Sequence, residues 1–329
     1  AQAGMKTGYG LSNATYIADG IVYHGHDGSV NGGHTQLWYI SNHDVGYFFS
    51  VNSDSYVQWK IDQAIRKYIT RNLVRPALSP EVTIGQDVQE YSGWYQPDSP
   101  RTQSQAFSEL AFENFRVRFA NGKMYTAKLA LPFQEYESVP VAPRQFRILP
   151  RNDDLQAPAP VATDILLPRN DEGLFMQGFA GMRTLKRIPA WMFVVKIGSI
   201  LWLVFAIIAM IIHLPIWIVA EIRRKVGTRE RVLLILPWMP VSSMLITNFL
   251  SSNVDINAFA NFGWRSGGIF ICTLLIGITS FISLIVWWRI DKTTVRPFVR
   301  WYSLAVILPL FIATLYLAYW GVIGLRTWA

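Results

Sequence analysis

The chain of 329 residues holds a single cysteine, Cys272, set inside an apolar run. A disulfide framework and a Cys-based zinc site are both excluded. Charge is scarce as well: Asp, Glu, Lys and Arg make up 16% of the residues against 51% hydrophobic ones, and the mean hydropathy is +0.22. So apolar a chain cannot be solvated by water alone, which excludes a purely cytosolic enzyme and places part of it in lipid. The opening residues Ala1-Gln2-Ala3-Gly4 lack the basic and then apolar stretches of an export signal. The net charge of +8 does not point to nucleic acid, because much of the Lys and Arg clusters beside apolar runs, as topology signals do.

What is present divides at about Pro189. Beyond it lie four stretches of the length that a membrane-crossing helix needs, about 20 apolar residues: Trp191 to Ala220, Val232 to Leu250, Ile269 to Trp288 and Tyr302 to Leu325. Trp191, Trp287, Trp288, Trp301, Trp320 and Trp328 fall near their ends and read as interfacial anchors. The first link carries Arg223, Arg224, Lys225, Arg229 and Arg231, and the third carries Arg289, Lys292, Arg296 and Arg300. The intervening link has Arg265 against Asp255. An excess of Lys and Arg marks cytoplasmic loops, so both termini and the soluble region are expected outside, despite Arg183, Lys186 and Arg187 before the first span. His213 stands alone beside Pro215 and reads as a packed or interfacial side chain rather than a proton relay. Lys196 lies close enough to a helix end to snorkel.

Before Pro189 the pattern is that of β-structure. Runs at Tyr9 to Ile17, Gly20 to His24, Thr35 to Ser41 and Gly46 to Asn52 predict an antiparallel meander. Val57, Ile61, Ala64, Ile65, Tyr68 and Ile69 recur at helical spacing over Tyr56 to Leu73, predicting a helix with one apolar stripe against the sheet. Pro76 and Pro80 mark Val74 to Thr83 as a linker. Next comes a hairpin signature, Phe115 to Phe119 and Met124 to Leu129 about Asn121-Gly122, since Asn-Gly supplies the positive φ angles of a tight turn. Further short runs at Arg144 to Leu149, Val161 to Leu167, Leu174 to Gln177 and Met182 to Lys186 complete a small antiparallel module, with Asn152 to Pro160 read as a loop.

The most informative string is Gly25-His26-Asp27-Gly28-Ser29-Val30-Asn31-Gly32-Gly33, preceded by Gly8-Tyr9-Gly10-Leu11 and followed by Asp44-Val45-Gly46-Tyr47 and Val51-Asn52-Ser53. Together these resemble the C-terminal end of the catalytic domain of the beta-lactamase-related serine hydrolases, which include class C beta-lactamases, D-alanyl-D-alanine peptidases and related esterases. In that family a Gly-Tyr-Gly-Leu strand leads to a His-x-Gly or Lys-Thr-Gly strand edging the active site, then a hairpin and a long helix. Tyr91-Ser92-Gly93-Trp94-Tyr95, with Pro97 and Arg101, is similar to an extra module that some members carry before terminal membrane helices.

The resemblance implies acyl transfer: a serine attacks a carbonyl, a lysine and a tyrosine manage its proton, and backbone N–H groups hold the oxyanion. It implies that His26 orients substrate or the proton network, that Gly28 lets substrate approach closely, and that the Ser29 N–H is an oxyanion donor. The competing view of the string is an ordinary Gly-rich hairpin turn. The departure from the family is severe, because neither Ser-x-x-Lys nor Tyr-x-Asn occurs anywhere in the chain. Tyr39-Ile40-Ser41 and Tyr136-Glu137-Ser138 fit a looser tyrosine motif but follow the His-x-Gly string instead of preceding it. Lys6-Thr7-Gly8 matches the alternative strand motif literally, yet sits where the family places the preceding strand, so it ranks below His26-Asp27-Gly28. His24, His26, His34, His43 and Asp27 raise a metal site as a lesser alternative, and no cofactor is expected.

The expected fold is multidomain. It comprises a C-terminal remnant of an α/β serine beta-lactamase-like domain over residues 1–75, a β-rich module over 76–188 and a four-helix transmembrane region over 189–329. The expected whole is the C-terminal part of a multi-pass inner-membrane hydrolase, with the lipid bilayer and an envelope peptide, amide or ester as partners. Its nucleophile would lie in an upstream portion, and alone it would be inert. The rival from another class is a non-catalytic membrane protein whose exported domain binds a partner or polymer.

Overall fold

The computed structural model describes residues 8–30, 32–53, 57–98, 105–129, 133–150, 159–178, 183–223, 225–252 and 259–328. It divides into two compact units, Ala1–Phe193 and Val194–Ala329.

The first unit opens on a five-stranded antiparallel meander, β1 (Gly8–Gly10), β2 (Asn13–Ala18), β3 (Ile21–Val30), β4 (Gly33–Ile40) and β5 (Val45–Val51), each strand paired with the next. The run expected as one strand from Tyr9 to Ile17 is two. Leu11 and Ser12 take φ angles of 49° and 58°, and the resulting turn pairs Gly10 with Asn13. Asp19-Gly20 does the same between β2 and β3, with φ of 52° and 76°. One face of the sheet buries Ala14, Ala18, Ile21, Tyr23, Trp38 and Ile40, with Ile69 and Leu73 packed against them.

The helix α1 (Val57–Thr70) supplies that cover, with Ile69 of the predicted stripe packed on the core and Ile61 and Ile65 half-buried, but the stripe is rotated from the position that periodicity selected. Val57 and Tyr68 are 55% and 63% exposed, whereas Gln58 and Asp62 are buried. Asp62 explains the rotation: it accepts the Tyr47 hydroxyl at 2.5 Å and the Arg66 Nε–H at 2.8 Å. A charge-assisted pair out of water outweighs one exposed Val and one Tyr ring.

The rest of the unit is a closed eight-stranded barrel, β6 (Gly93–Pro97), β7 (Phe115–Ala120), β8 (Lys123–Lys128), β9 (Gln134–Ala142), β10 (Gln145–Ile148), β11 (Asp164–Leu166), β12 (Phe175–Gly178) and β13 (Arg183–Ile188), with α2 (Ala106–Phe112) between β6 and β7. All neighbours are antiparallel, and β13 closes on β6 through Leu185↔Pro97 to Ile188↔Trp94. Closure removes the edges that an open module would expose. Asn121 and Gly122 take φ of 51° and 72° and pair Ala120 with Lys123, as the Asn-Gly signature requires. Eight strands leave an interior that side chains can fill, and Tyr95, Phe115, Met124, Phe146, Met176 and Leu185 fill it. The Pro-rich stretch after α1 forms neither helix nor strand, but it is pinned to the barrel. Ser79 N–H donates to Pro160 O at 3.1 Å, Val82 N–H donates to Pro140 O at 3.0 Å, and Glu81 lies 3.5 Å from the buried Arg147.

In the second part of the chain, α3 (Ala190–Ile222), α4 (Thr228–Ile235), α5 (Trp238–Ser251), α6 (Trp264–Arg289) and α7 (Pro297–Tyr319) give four segments long and apolar enough to cross a membrane. Thr228–Ser251 is one such segment, interrupted at Leu236-Pro237 because proline has no N–H to continue the ladder. The last segment lies earlier than expected. Pro297 starts it in the first turn, where a missing N–H costs nothing, and it stops at Tyr319, before Gly321 at φ 69°. The following residues turn back onto α6: Leu325 N–H donates to Thr273 Oγ1 at 3.1 Å, and Trp328 packs on Phe262 and Phe270. Trp287 differs from a simple anchor, since its N–H donates to Arg300 O at 2.9 Å and the Arg300 guanidinium stacks on its ring.

Candidate functional site: the overhanging end of β3

β3 is longer than its neighbour. β2 pairs with it from Ile21 to Gly25, whereas β4 pairs with it from His24 to Val30. Residues 26–30 therefore overhang β2. Burial changes at the same point: Ile21, Tyr23 and Gly25 are buried, and His26, Asp27, Gly28, Ser29 and Val30 are all exposed. The sequence string thus maps onto a strand end with one backbone edge unpaired among the described strands.

The side chains there are held individually. His26 Nε2 lies 2.6 Å from the Tyr9 hydroxyl, and its Nδ1 contacts the Asp27 carbonyl oxygen. A carbonyl can only accept, so Nδ1 is the donor to Asp27, and the Tyr9 hydroxyl at the other ring nitrogen fixes the orientation of the ring. Tyr9 was not singled out from sequence as a partner of His26; β1, folded back by the Leu11-Ser12 turn, brings it there. A Cβ built on Gly28 meets nothing within 4 Å, while one on Gly25, at φ 149°, would lie 2.0 Å from Leu37 O. The two glycines have different reasons. Gly25 is required by the sheet itself, and Gly28 leaves open space above the overhang. The Ser29 hydroxyl is paired across the hairpin with His34 Nδ1 at 2.7 Å, which leaves its backbone N–H as the group of interest.

The remaining histidines do not converge. His24 Nδ1 contacts Thr15 Oγ1 at 2.9 Å, its ring lies against Tyr39, and burial holds its pKa below the usual imidazole value. Among the described residues no group of three or more His, Cys, Asp or Glu is placed to hold a metal ion. Tyr39 accepts from Asn13 Nδ2, and Tyr136 donates to Gln134 inside the barrel sequence. Lys6 and Thr7 lie outside the described residues, so the literal Lys-Thr-Gly match is not located. Tyr91 and Tyr95 belong to the barrel core, Tyr95 donating to Tyr91 O at 2.7 Å and Tyr91 to Leu167 O at 2.6 Å.

Behind the sheet lies a polar cluster that the sequence reading missed: Tyr47, Asp62, Arg66 and Asp19, the last 3.8 Å from Arg66. Burial, reinforced by the Asp62 hydrogen bond, pushes the Tyr47 hydroxyl well above the usual tyrosine range, and burial also raises Tyr16 and pushes Tyr23 up to about 12. Such tyrosines stay protonated, and Tyr47 donates a hydrogen bond to Asp62. The Asp62/Arg66 spacing of four residues was the available signal, masked by the stronger apolar periodicity beside it.

No protein family and no curated protein matches the sequence. Among solved structures, the crystal structure of SurE with D-Leu is 16% identical with a TM-score of 0.31, covering 56% of this chain and 40% of that one. The crystal structure of SurE is 14% identical with a TM-score of 0.32, covering 57% and 40%. This chain thus spans two fifths of each, and neither likeness bears on the hydrolase relationship.

Proposed function

We propose that this chain is the membrane-anchored C-terminal part of a beta-lactamase-like serine hydrolase, with the overhang of β3 forming one wall of an acyl-transfer site whose nucleophile lies outside the chain. The observation that carries the reading is the unpaired edge of residues 26–30 beside an oriented His26 and the open space at Gly28. In an antiparallel pair, alternate residues exchange both hydrogen bonds with the partner strand and the others point away. Ala18 and Ile21 flank the two-residue turn Asp19-Gly20, which makes them a bonded pair. Counting on along β3, Tyr23 and Gly25 also face β2, His26 and Gly28 face β4, and the N–H and C=O of Asp27 and Ser29 face the free edge. An extended peptide, amide or ester laid along that edge would meet the Ser29 N–H, as an oxyanion donor must. The substrate class is an envelope peptide, amide or ester. The four apolar segments hold the site at a cell membrane, with the basic links cytoplasmic and the soluble region outside.

Alone, the chain should take no label from a fluorescent penicillin or fluorophosphonate. Supplied with a portion bearing Ser-x-x-Lys and Tyr-x-Asn, it should gain turnover that Gly28→Val abolishes and His26→Ala slows by about a hundredfold. Loss of turnover in Lys6→Ala with none in His26→Ala would reject the alignment. A second reading, a non-catalytic membrane protein that binds a partner, has one observation in its favour. On the sheet face opposite α1, Leu37, Tyr39 and Phe48 are 51%, 39% and 63% exposed, and they lie on adjacent strands with Leu37 paired to Phe48. Labelling of a serine in the isolated chain would contradict both.

A further inference from the structure

We infer that the membrane-spanning unit holds a bound-water site, built around His213, Trp217 and Ser303 beside the break at Pro237. Met210, His213, Trp217, Leu233, Pro237 and Ser303 are among the residues that line a cavity between α3, α4, α5 and α7. Two of its polar atoms are buried and have no hydrogen-bond partner, the Trp217 Nε1–H and the Ser303 Oγ, on a serine that is 1% exposed. His213 contributes a third polar group; its ring packs on Tyr302 at 4.6 Å between centroids and makes no hydrogen bond among the described residues. A fourth comes from the backbone. Pro237 has no N–H, so the carbonyl of Leu233, four residues earlier, lacks its regular helical donor.

Inside a bilayer no bulk water is at hand to take such groups, and leaving them dry is strongly unfavourable. A donor indole, a hydroxyl, an imidazole and a carbonyl together offer the two to four polar contacts that an ordered water takes. Size decides against a larger ligand. The cavity volume is about 10 Å³, the room that a single water needs and too small for a lipid head group or a sugar. Water here also supplies the hydrogen bond that proline removed, which lets the second span carry a break at this depth.

The test is X-ray radiolytic labelling of the full chain in phospholipid nanodiscs, read by peptide mass spectrometry, because hydroxyl radicals form from water held next to a side chain. Met210 and Trp217 should be labelled several-fold more than Met239 and Trp202, which are 44% and 38% exposed on the outside of apolar spanning segments. Replacing both donors, in Ser303→Ala with Trp217→Phe, should bring Met210 down to the Met239 level. Equal labelling of Met210 and Met239 in the unaltered protein means a dry cavity and overturns the site. Unchanged labelling of Met210 in the double variant, with Met239 also unchanged, means that bulk water reaches the cavity and overturns it too.

Discussion

At the scale of single residues, the two glycines of β3 separate a structural demand from a functional one. Gly25→Ala places a Cβ against the Leu37 carbonyl in a conformation that L side chains avoid, and it should cost at least ~2 kcal/mol in a denaturant titration followed by tryptophan fluorescence. Gly28→Ala meets no neighbour and should shift the same titration by less than ~0.5 kcal/mol. Equal effects would deny Gly28 its special place. The Tyr47–Asp62 contact sits on the face covered by α1 and fixes α1 in its rotated setting, so Asp62→Ala leaves the Tyr47 hydroxyl and Arg66 without that acceptor. A loss of about 3 kcal/mol is expected for a buried charged partner. The tyrosines there also link stability to alkali. Tyr23 ionises at about 12 when folded and near 10 when unfolded. Its contribution is fully present below pH ~10 and falls by up to about 1.4 kcal/mol per pH unit as pH rises to ~12, because the unfolded chain releases its proton first. Tyr16 and Tyr47 act in the same direction, and tyrosinate absorbance appearing together with unfolding, not before it, is the expected signature.

At the scale of elements, the hairpin of β7 and β8 and the helix–helix pair at Glu230 show why some features were legible in the sequence and others were not. Asn121-Gly122 was readable because both residues adopt the positive φ that their chemistry favours, and Gly122→Val should destabilise the barrel by about 1 to 2 kcal/mol. β9 was not readable. Its inward positions Gln134, Tyr136, Ser138 and Pro140, opposite Lys128, Thr126, Met124 and Phe146, carry too little apolar character to alternate against Glu135 and Glu137. β6, five residues long, lacked enough length to show a period, and the closure of β13 onto it is a long-range pairing that no local pattern encodes. The membrane segments were legible to within a few residues, except where proline and glycine reset the ends of α7. Glu230 was hidden inside an otherwise basic link. It is 5% exposed and accepts from the Arg296 backbone N–H at 2.8 Å and from its guanidinium at 2.8 and 2.9 Å. With Arg296 itself half exposed, Glu230→Gln should cost about 2 kcal/mol, less than a fully buried pair, read as a lowered melting temperature in detergent. The candidate site was legible as a string and illegible as a geometry: residues 26–28 could be named, while Tyr9 as the partner of His26 required the β1 turn.

At the scale of the whole molecule, the soluble and membrane parts follow one another closely in sequence, only Pro189 standing between the end of β13 at Ile188 and the start of α3 at Ala190. The barrel therefore lies on whichever side the N-terminus of α3 lies, and orientation of the helices decides where the proposed site works. The charges bear on that choice. Arg223, Lys225, Arg229 and Arg231 follow α3, and Lys292 and Arg296 follow Arg289 at the end of α6, whereas the described residues between α5 and α6 carry no cation and Arg265 sits in the first turn of α6. Loop Lys and Arg resist translocation, so the two basic links should be cytoplasmic and the barrel, the sheet and the α5–α6 link outside. Three cations near the end of β13 oppose this, but Arg183 is neutralised by Glu113 and Glu109 and Lys186 lies near Glu172, which weakens that flank as a retention signal. The native Cys272 is buried, so engineered thiols can be read against a quiet background. A membrane-impermeant maleimide added to intact cells should label a cysteine placed at Asn121 or Asn261 and spare one at Thr228 or Thr294, with all four labelled after permeabilisation. Labelling at Thr228 in intact cells, with Asn121 protected, would put the β3 overhang in the cytoplasm and remove the envelope from the list of substrate sources.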